Sequence, residues 1–396
     1  MSLRGLFLQH LAQTSDMPLQ LEVSHSEGMY LYSPDGRRYM DLIAGIGVSC
    51  LGHRHPVVVK AIHEQVDRYL HTMVYGEYVL APQVQLATAL VNSLPLGLDS
   101  VYLVNSGAEA TEGAMKLAKR HTGRSELIAC RNAYHGSTQG AASLNSDPYF
   151  VQAYRPLLPG IRHIDFNDFE DLEQISSQTA AVILETVQAE SGIHKPAAGY
   201  LQQLRQKCSE TGALLILDEI QAGFGRTGTL YAFEQYDIVP DVLLLAKGLG
   251  GGMPIGAFIA PRKIMHSLSE QPILGHITTF GGHPVSCAAA LATLQTLLQE
   301  NLPAQVAAKE ALFRELLVHP AIKAVRSAGL WMAVELADFA TVQTVVRHCL
   351  DRGLIIDWFL FNSKSLRIAP PLNISTAEIR WACDVLLEAL SATQSC

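Results

Sequence analysis

A chain of 396 residues has room for two to three domains at about 150 residues each, or for one large domain with a smaller companion. With 48% hydrophobic and 17% charged residues it can build a large core and lacks the polarity of a disordered chain. The net charge of −8 is spread without long runs of one sign, so there is no basic stripe for nucleic acid, and no apolar run approaches the roughly 18 residues of a membrane span.

In chain order, Gly28-Met-Tyr-Leu-Tyr-Ser-Pro-Asp-Gly36 alternates apolar residues and closes on a Pro-Asp-Gly turn, which predicts a short β-hairpin. From Pro56 onward, helical patterns alternate with short apolar runs at 100–104, 126–130, 180–184, 213–217, 242–246 and 255–260. Such runs between helices are what a parallel sheet covered on both faces requires, so the large unit is expected to be α/β. Helical patterns at 288–299 and 304–317 lead into another strand candidate at 330–336, and the tail reads as a smaller α+β unit. No repeat, low-complexity segment or Pro/Gly-rich linker separates the two, so they are expected to pack together. Seven cysteines (Cys50, Cys130, Cys208, Cys287, Cys349, Cys383 and Cys396) are scattered and form no CxxC, the usage of a reduced protein without a disulfide framework or zinc cluster. Met1-Ser2-Leu3-Arg4 opens neither a secretory signal nor a transit peptide, and a cytoplasmic location is expected.

Three stretches carry chemistry. In Val101-Tyr-Leu-Val-Asn-Ser-Gly-Ala-Glu-Ala-Thr-Glu112 an apolar strand ends at Asn105 and a helix is predicted from Ser106. Ser106 and Glu109 have the spacing of a capping box; Ala110, Ala114, Leu117 and Ala118 mark one face, and Gly123 follows the helix end. Gly107 would let an anion approach the first-turn amides, where the helix dipole favours it. The same stretch would also serve as an ordinary capped helix. In Ala213-Leu-Leu-Ile-Leu-Asp-Glu-Ile-Gln221, a buried strand brings Asp218 to its carboxyl end, where α/β ligands bind. The rival reading, a Walker B strand, needs GxxxxGK[ST], and none of the ten lysines follows a glycine. In Val242-Leu-Leu-Leu-Ala-Lys247-Gly-Leu-Gly-Gly-Gly252, Lys247 ends a run of five apolar residues. Lost hydration would lower its pKa and make it a nucleophile, with glycines admitting a planar ligand; the alternative is a snorkelling lysine.

Three other matches do not hold up. Gly223-Phe-Gly-Arg-Thr-Gly228 fits GxGxxG but lacks the strand–turn–helix setting of a dinucleotide site. His53-Arg-His55 has no cluster of carboxylates or cysteines beside it, and His63-Glu-Gln-Val-Asp67 lacks the second histidine of HExxH.

An anion cradle, an acid at one strand end and a lysine at another together make the constellation of pyridoxal 5′-phosphate chemistry. On these residues the chain resembles the class III (ω-type) aminotransferases, above all their acetylornithine/ornithine branch. The resemblance runs from Gly28-Met-Tyr-Leu-Tyr to Arg367-Ile-Ala-Pro-Pro-Leu-Asn. It is strongest in Asn-Ser-Gly-Ala-Glu-Ala at 105–110, Leu-Asp-Glu-Ile-Gln-Ala-Gly-Phe-Gly-Arg-Thr-Gly at 217–228 and Ala-Lys-Gly-Leu-Gly-Gly-Gly at 246–252.

The resemblance implies fold type I, of the aspartate aminotransferase kind. Its large domain, with a mostly parallel sheet, would span 46–285, and its small α+β domain would join 1–45 with 286–396. It implies that the amides of Gly107 and Ala108 hold the cofactor phosphate, that Tyr134 stacks on the pyridine ring and that Ser106 and His135 belong to the same cofactor site. Asp218 would pair with the ring nitrogen, Gln221 would reach the ring hydroxyl with Glu185 in support, and Lys247 would form the Schiff base. Thr279 would reach the phosphate of a neighbouring subunit, with Thr278 near that neighbour's substrate, making a homodimer with shared sites. Arg367 would grip a substrate α-carboxylate bidentately, masked by Glu190 when an ω-amino donor is bound.

Two departures stand out: Glu185-Thr-Val-Gln-Ala-Glu190 replaces the family's Glu-Pro-Val/Ile-Gln-Gly-Glu, and Ser137 occupies the place of a carboxylate-binding arginine. The function implied is amino transfer between an ω-amino or amino-acid donor and 2-oxoglutarate. Alternatives are an ω-amine:pyruvate transaminase, a decarboxylase, racemase or aminomutase on the same scaffold, or a catalytically silent homologue.

Overall fold

The computed structural model describes residues 2–393. Its centre is a seven-stranded sheet in the order Ser100–Val104, Gly256–Ala260, Val242–Leu245, Leu214–Asp218, Thr179–Glu185, Glu126–Cys130, Ile161–Ile164. The five strands from Val242–Leu245 to Ile161–Ile164 pair in parallel. Period-2 alternation sends their side chains to two cores. Val182, Leu184, Leu215 and Leu217 pack on Leu201, Leu204 and Cys208 of the helix Tyr200–Thr211. Ala181, Ile183, Ile216 and Leu244 pack with Ala110, Ala114, Leu117 and Ala118 of the helix Gly107–Thr122.

All six predicted strands form. Two corrections apply. Gly256–Ala260 runs antiparallel to both of its neighbours, because the ten residues 246–255 that precede it are too few for a crossover to a parallel strand. The sheet also has a seventh, edge strand, Ile161–Ile164, whose Arg162 and His163 interrupt the apolar run that marks the others.

The predicted hairpin forms across Pro34-Asp35-Gly36, with Tyr30–Tyr32 paired to Arg38–Asp41. His25–Glu27 extends it on one side. On the other side Leu354–Ile355, from the far end of the chain, pairs in parallel with Arg38–Asp41. A third sheet, Ala324–Ser327, Met332–Glu335, Ser365–Ile368 and Asp357–Trp358, is antiparallel throughout. The helix Phe339–Asp351 packs on Ser365–Ile368, and Thr376–Thr393 packs in turn on Phe339–Asp351 and Leu302–Leu316. The helix Pro284–Gln299 lies on Pro56–Val66, Ala81–Asn92 and the turn Lys247–Gly250. The six described cysteines are free and buried; Cys396 lies outside the described residues.

Close packing reaches directly from the sheet to the start of the helix Gly107–Thr122. A Cβ at Gly256 would lie 2.2 Å from the carbonyl oxygen of Ser106, and one at Gly113 would lie 2.3 Å from the Phe258 ring. Gly256→Ala should therefore destabilise the protein by about 1–3 kcal/mol in urea unfolding. Its clash is with backbone, so it should also weaken anion binding at the Ser106–Ala108 turn.

Candidate active site

A cavity of ≈ 750 Å³ opens where most of the strands of the large sheet end. Asn105, Ser106, Gly107 and Ala108 form one wall. Ser106 has extended backbone and its Oγ accepts from the Glu109 N–H at 3.1 Å, while Gly123 closes the helix in the left-handed region. The capping box is displaced by one residue: Glu109 Oε2 accepts from the backbone and side-chain nitrogens of Asn105, each at 2.8 Å, instead of from Ser106. First-turn N–H groups have no intrahelical acceptor, so those of Gly107 and Ala108 suit an anion in the cavity that both residues line. Gly107 is also closely packed: a Cβ there would lie 2.8 Å from Ile220 Cδ1, and the Ile220 side chain would have to shift.

Asp218 ends the strand Leu214–Asp218 and is buried, and it is held in one orientation. Its Oδ2 lies 2.7 Å from His135 Nδ1, and Oδ1 accepts from the Ile220 N–H at 2.9 Å. The next residue, Glu219, points away from the cavity and accepts from Thr186 Oγ1 and the Ala232 and Phe233 N–H groups. Burial pushes its carboxyl up to about 7.

Lys247 follows the strand Val242–Leu245 with a left-handed φ of 46°, a conformation costly for a residue with a side chain. Its Nζ donates to Gln221 Oε1 at 2.8 Å. Burial lowers its pKa from the ordinary lysine value, against the opposing charges of Glu190 and Asp218. Of the glycines after it, Gly252 lines the cavity, whereas Gly251 is required by the helix Pro284–Gln299: a Cβ there would lie 2.0 Å from Thr293 Oγ1. Glu185 is buried, and burial together with Asp218 and Glu190 raises its carboxyl well above the usual carboxylate range. Gln221 Nε2 and Glu185 Oε2 are buried without a hydrogen-bond partner. Tyr134 and Ser137 face each other across the rim, OH to Oγ 2.9 Å.

The other predicted residues stand apart from this lining. Arg367 and Glu190 are buried together, Nη1 to Oε1 2.7 Å. Arg367 is also held by Asp357, which the sequence reading did not single out, through Nε–Oδ1 and Nη2–Oδ2 bonds of 2.8 Å. The signal was available: an acid within the apolar run Leu354-Ile-Ile-Asp-Trp-Phe-Leu-Phe361 needs a cation if it is buried. Thr278 Oγ1 accepts from Asn105 Nδ2 at 3.0 Å, and Thr279 is exposed. The GxGxxG stretch is a turn whose buried Arg226 donates to the carbonyls of Leu330 and Pro370. His53 Nε2 sits 2.9 Å from Asp41 Oδ2.

A family model described as "Aminotransferase class-III" matches residues 11–390. The acetylornithine aminotransferase of Methanopyrus kandleri is 40% identical over 389 residues, 97% of each chain. That of Methanocaldococcus jannaschii is 38% identical, covering 96% of this chain and 94% of its own. Among solved structures, the ornithine aminotransferase of Toxoplasma gondii ME49 superposes with a TM-score of 0.91 at 31% identity, covering 99% of this chain and 94% of its own. An (S)-enantioselective omega-transaminase from Thermomicrobium roseum gives 0.88 at 30%, covering 99% and 97%.

Two substitutions test the local energetics. Ser106→Ala removes a helix cap and should cost about 0.5–2 kcal/mol. Arg367→Ala leaves Glu190 and Asp357 without their cation and should cost about 3–5 kcal/mol, read by chemical denaturation.

Proposed function

As a member of the class III aminotransferase family, and so a transaminase working through pyridoxal 5′-phosphate, this chain, we propose, moves an amino group from an ω-amino or amino-acid donor to 2-oxoglutarate. The observation that carries this reading is a single cavity lined by a helix start open to an anion, an oriented buried carboxylate, and a half-buried lysine of lowered pKa. The residues suit the cofactor: the buried, unpartnered Gln221 Nε2 and Glu185 Oε2 await polar groups that no side chain supplies.

Ser106, Gly107 and Ala108 would hold the phosphate, Tyr134 would cover the ring, and Gln221, supported by Glu185, would meet the ring hydroxyl. The negative charge of Asp218, oriented by His135, would keep a proton on the ring nitrogen. Bound there, the cofactor supplies a carbonyl carbon for the migrating amine and a ring that accepts an electron pair. Lys247 would anchor it, and its amine, when free, would move a proton at the substrate carbon. Arg367 would receive the α-carboxylate of glutamate or 2-oxoglutarate after Glu190 swings away, and Glu190 would return when an ω-amine is bound.

The working form is a homodimer in this reading, with Thr279 reaching the phosphate in the other copy and Thr278 near its substrate. The exposed Ile273, Leu274, Ile277 and Phe280 around these threonines support that assignment. Cytoplasmic residence is supported by the free cysteines. No helix of the described residues is long and apolar enough to cross a membrane.

Borohydride should fix pyridoxal 5′-phosphate covalently to Lys247 of the wild type, and Lys247→Ala should lose both that attachment and turnover. Attachment at another lysine would refute the assignment. Because the amine must be unprotonated and burial lowers its pKa, the rate of cofactor capture by the apoprotein should rise with pH and level off below the ordinary lysine value of 10.5. Ser137 offers no fork for a distal carboxylate, so Ser137→Arg should raise kcat/KM for acetylornithine with 2-oxoglutarate by on the order of tenfold and leave simple diamines unimproved. A wild type that already strongly prefers acetylornithine, with no gain from Ser137→Arg, would refute this.

A further inference from the structure

Arg367 carries two carboxylates, and they are attached to it in different ways. Asp357 lies directly opposite Arg367 in the antiparallel pair of Asp357–Trp358 with Ser365–Ile368, so the two residues belong to one small sheet. Asp357 accepts from Nε and from Nη2, and the carbonyl oxygen of Trp358 accepts from Nη2 as well, at 3.0 Å. Glu190 comes from the chain after Thr179–Glu185, in the large sheet, and accepts a single bond from Nη1. Its other oxygen is held by the Leu360 N–H at 3.0 Å. A guanidinium has five N–H groups. Those on Nε and Nη2 are engaged from within the small sheet, so a departing Glu190 frees Nη1 alone.

The charges lead the same way. With Glu190 gone, Arg367 and Asp357 remain as a neutral pair, and an incoming carboxylate meets Asp357 as a like charge. Along the cavity wall one cation, Lys247, stands with the acids Asp218 and Glu185, and position 137 is a serine, so no second arginine is supplied there.

We propose that Asp357 is a specificity-determining residue: it withholds the two-nitrogen fork and offsets the charge of Arg367. The site then accepts primary amines and aldehydes that lack an α-carboxylate alongside amino and keto acids. A carboxylate bound by both nitrogens of an arginine would be strongly selected; one bound through Nη1 beside an acid would be only weakly selected. This rests on the reading that Arg367 receives the substrate α-carboxylate.

Glu190 competes for the same guanidinium and would gain from the loss of Asp357 as much as a ligand does, so the comparison belongs in E190Q. Asparagine at 357 still accepts from Nε but has no second acceptor for Nη2, so it frees that nitrogen as well as removing the charge. Calorimetry on the cofactor-loaded protein should show E190Q/D357N binding glutarate, an unreactive dicarboxylate, about tenfold more tightly than E190Q. A gain below threefold, or weaker binding, overturns the proposal. If melting curves show the double variant unfolded, E190Q alone decides through butanal and 2-oxopentanoate, which differ only in the α-carboxylate. A preference for the keto acid below about a hundredfold in kcat/KM is expected, and a larger one overturns the proposal. Glutarate binding needs no turnover. If glutamate and 2-oxoglutarate prove not to be substrates while the double variant still tightens glutarate, the acceptor is wrong and the role of Asp357 stands.

Discussion

A sheet buried on both faces leaves no room for polar chemistry along its length, so everything reactive is forced to its carboxyl edge. Ser100–Val104, Val242–Leu245, Leu214–Asp218, Thr179–Glu185 and Glu126–Cys130 all point one way, and they deliver the Ser106 turn, Lys247, Asp218, Glu185 and the Tyr134–His135 segment to one rim. The single reversed strand begins at that rim with Gly256, where only a residue without a side chain leaves the Ser106 carbonyl in place. The cavity is thus a by-product of how the core is covered.

Within that rim, adjacent residues are sorted by the direction in which they leave the strand. Asp218 turns into the cavity and is aligned by His135 and the Ile220 amide. Glu219 turns the other way and ties the segment around Ala232 and Phe233 to the sheet. Lys247 is placed by a left-handed backbone that the glycines after it and the packing of Pro284–Gln299 maintain. Its amine is loosened by burial and held back by nearby acids, so its basicity is set by the surrounding fold. The same surplus of acids runs on to Arg367, where two carboxylates share one guanidinium.

Much of this was legible in the linear chain. Apolar runs bounded by helical patterns located six strands, because burial on both faces leaves a continuous hydrophobic signature. Ile161–Ile164 was missed because an edge strand is only half-buried and tolerates Arg162 and His163. Ser106 and Gly123 were readable as the two ends of a helix, because caps are local chemistry. The contact that moved Glu109 from Ser106 to Asn105 depends on the entry angle of the chain, and no spacing rule contains that angle.

By itself the sequence determined which residues carry chemistry: an acid and a lysine that end apolar runs, and a glycine at a helix start, are local departures from a pattern and are visible without coordinates. Only the tertiary structure decided what those residues face. The reversal of Gly256–Ala260 follows from pairing, the need for glycine at 251 from its left-handed backbone and Thr293, and the state of Arg367 from Asp357, ten residues earlier along the chain. Hydrogen bonds and charge pairs act over a few ångströms of space, and distance along the chain places no bound on which groups come that close.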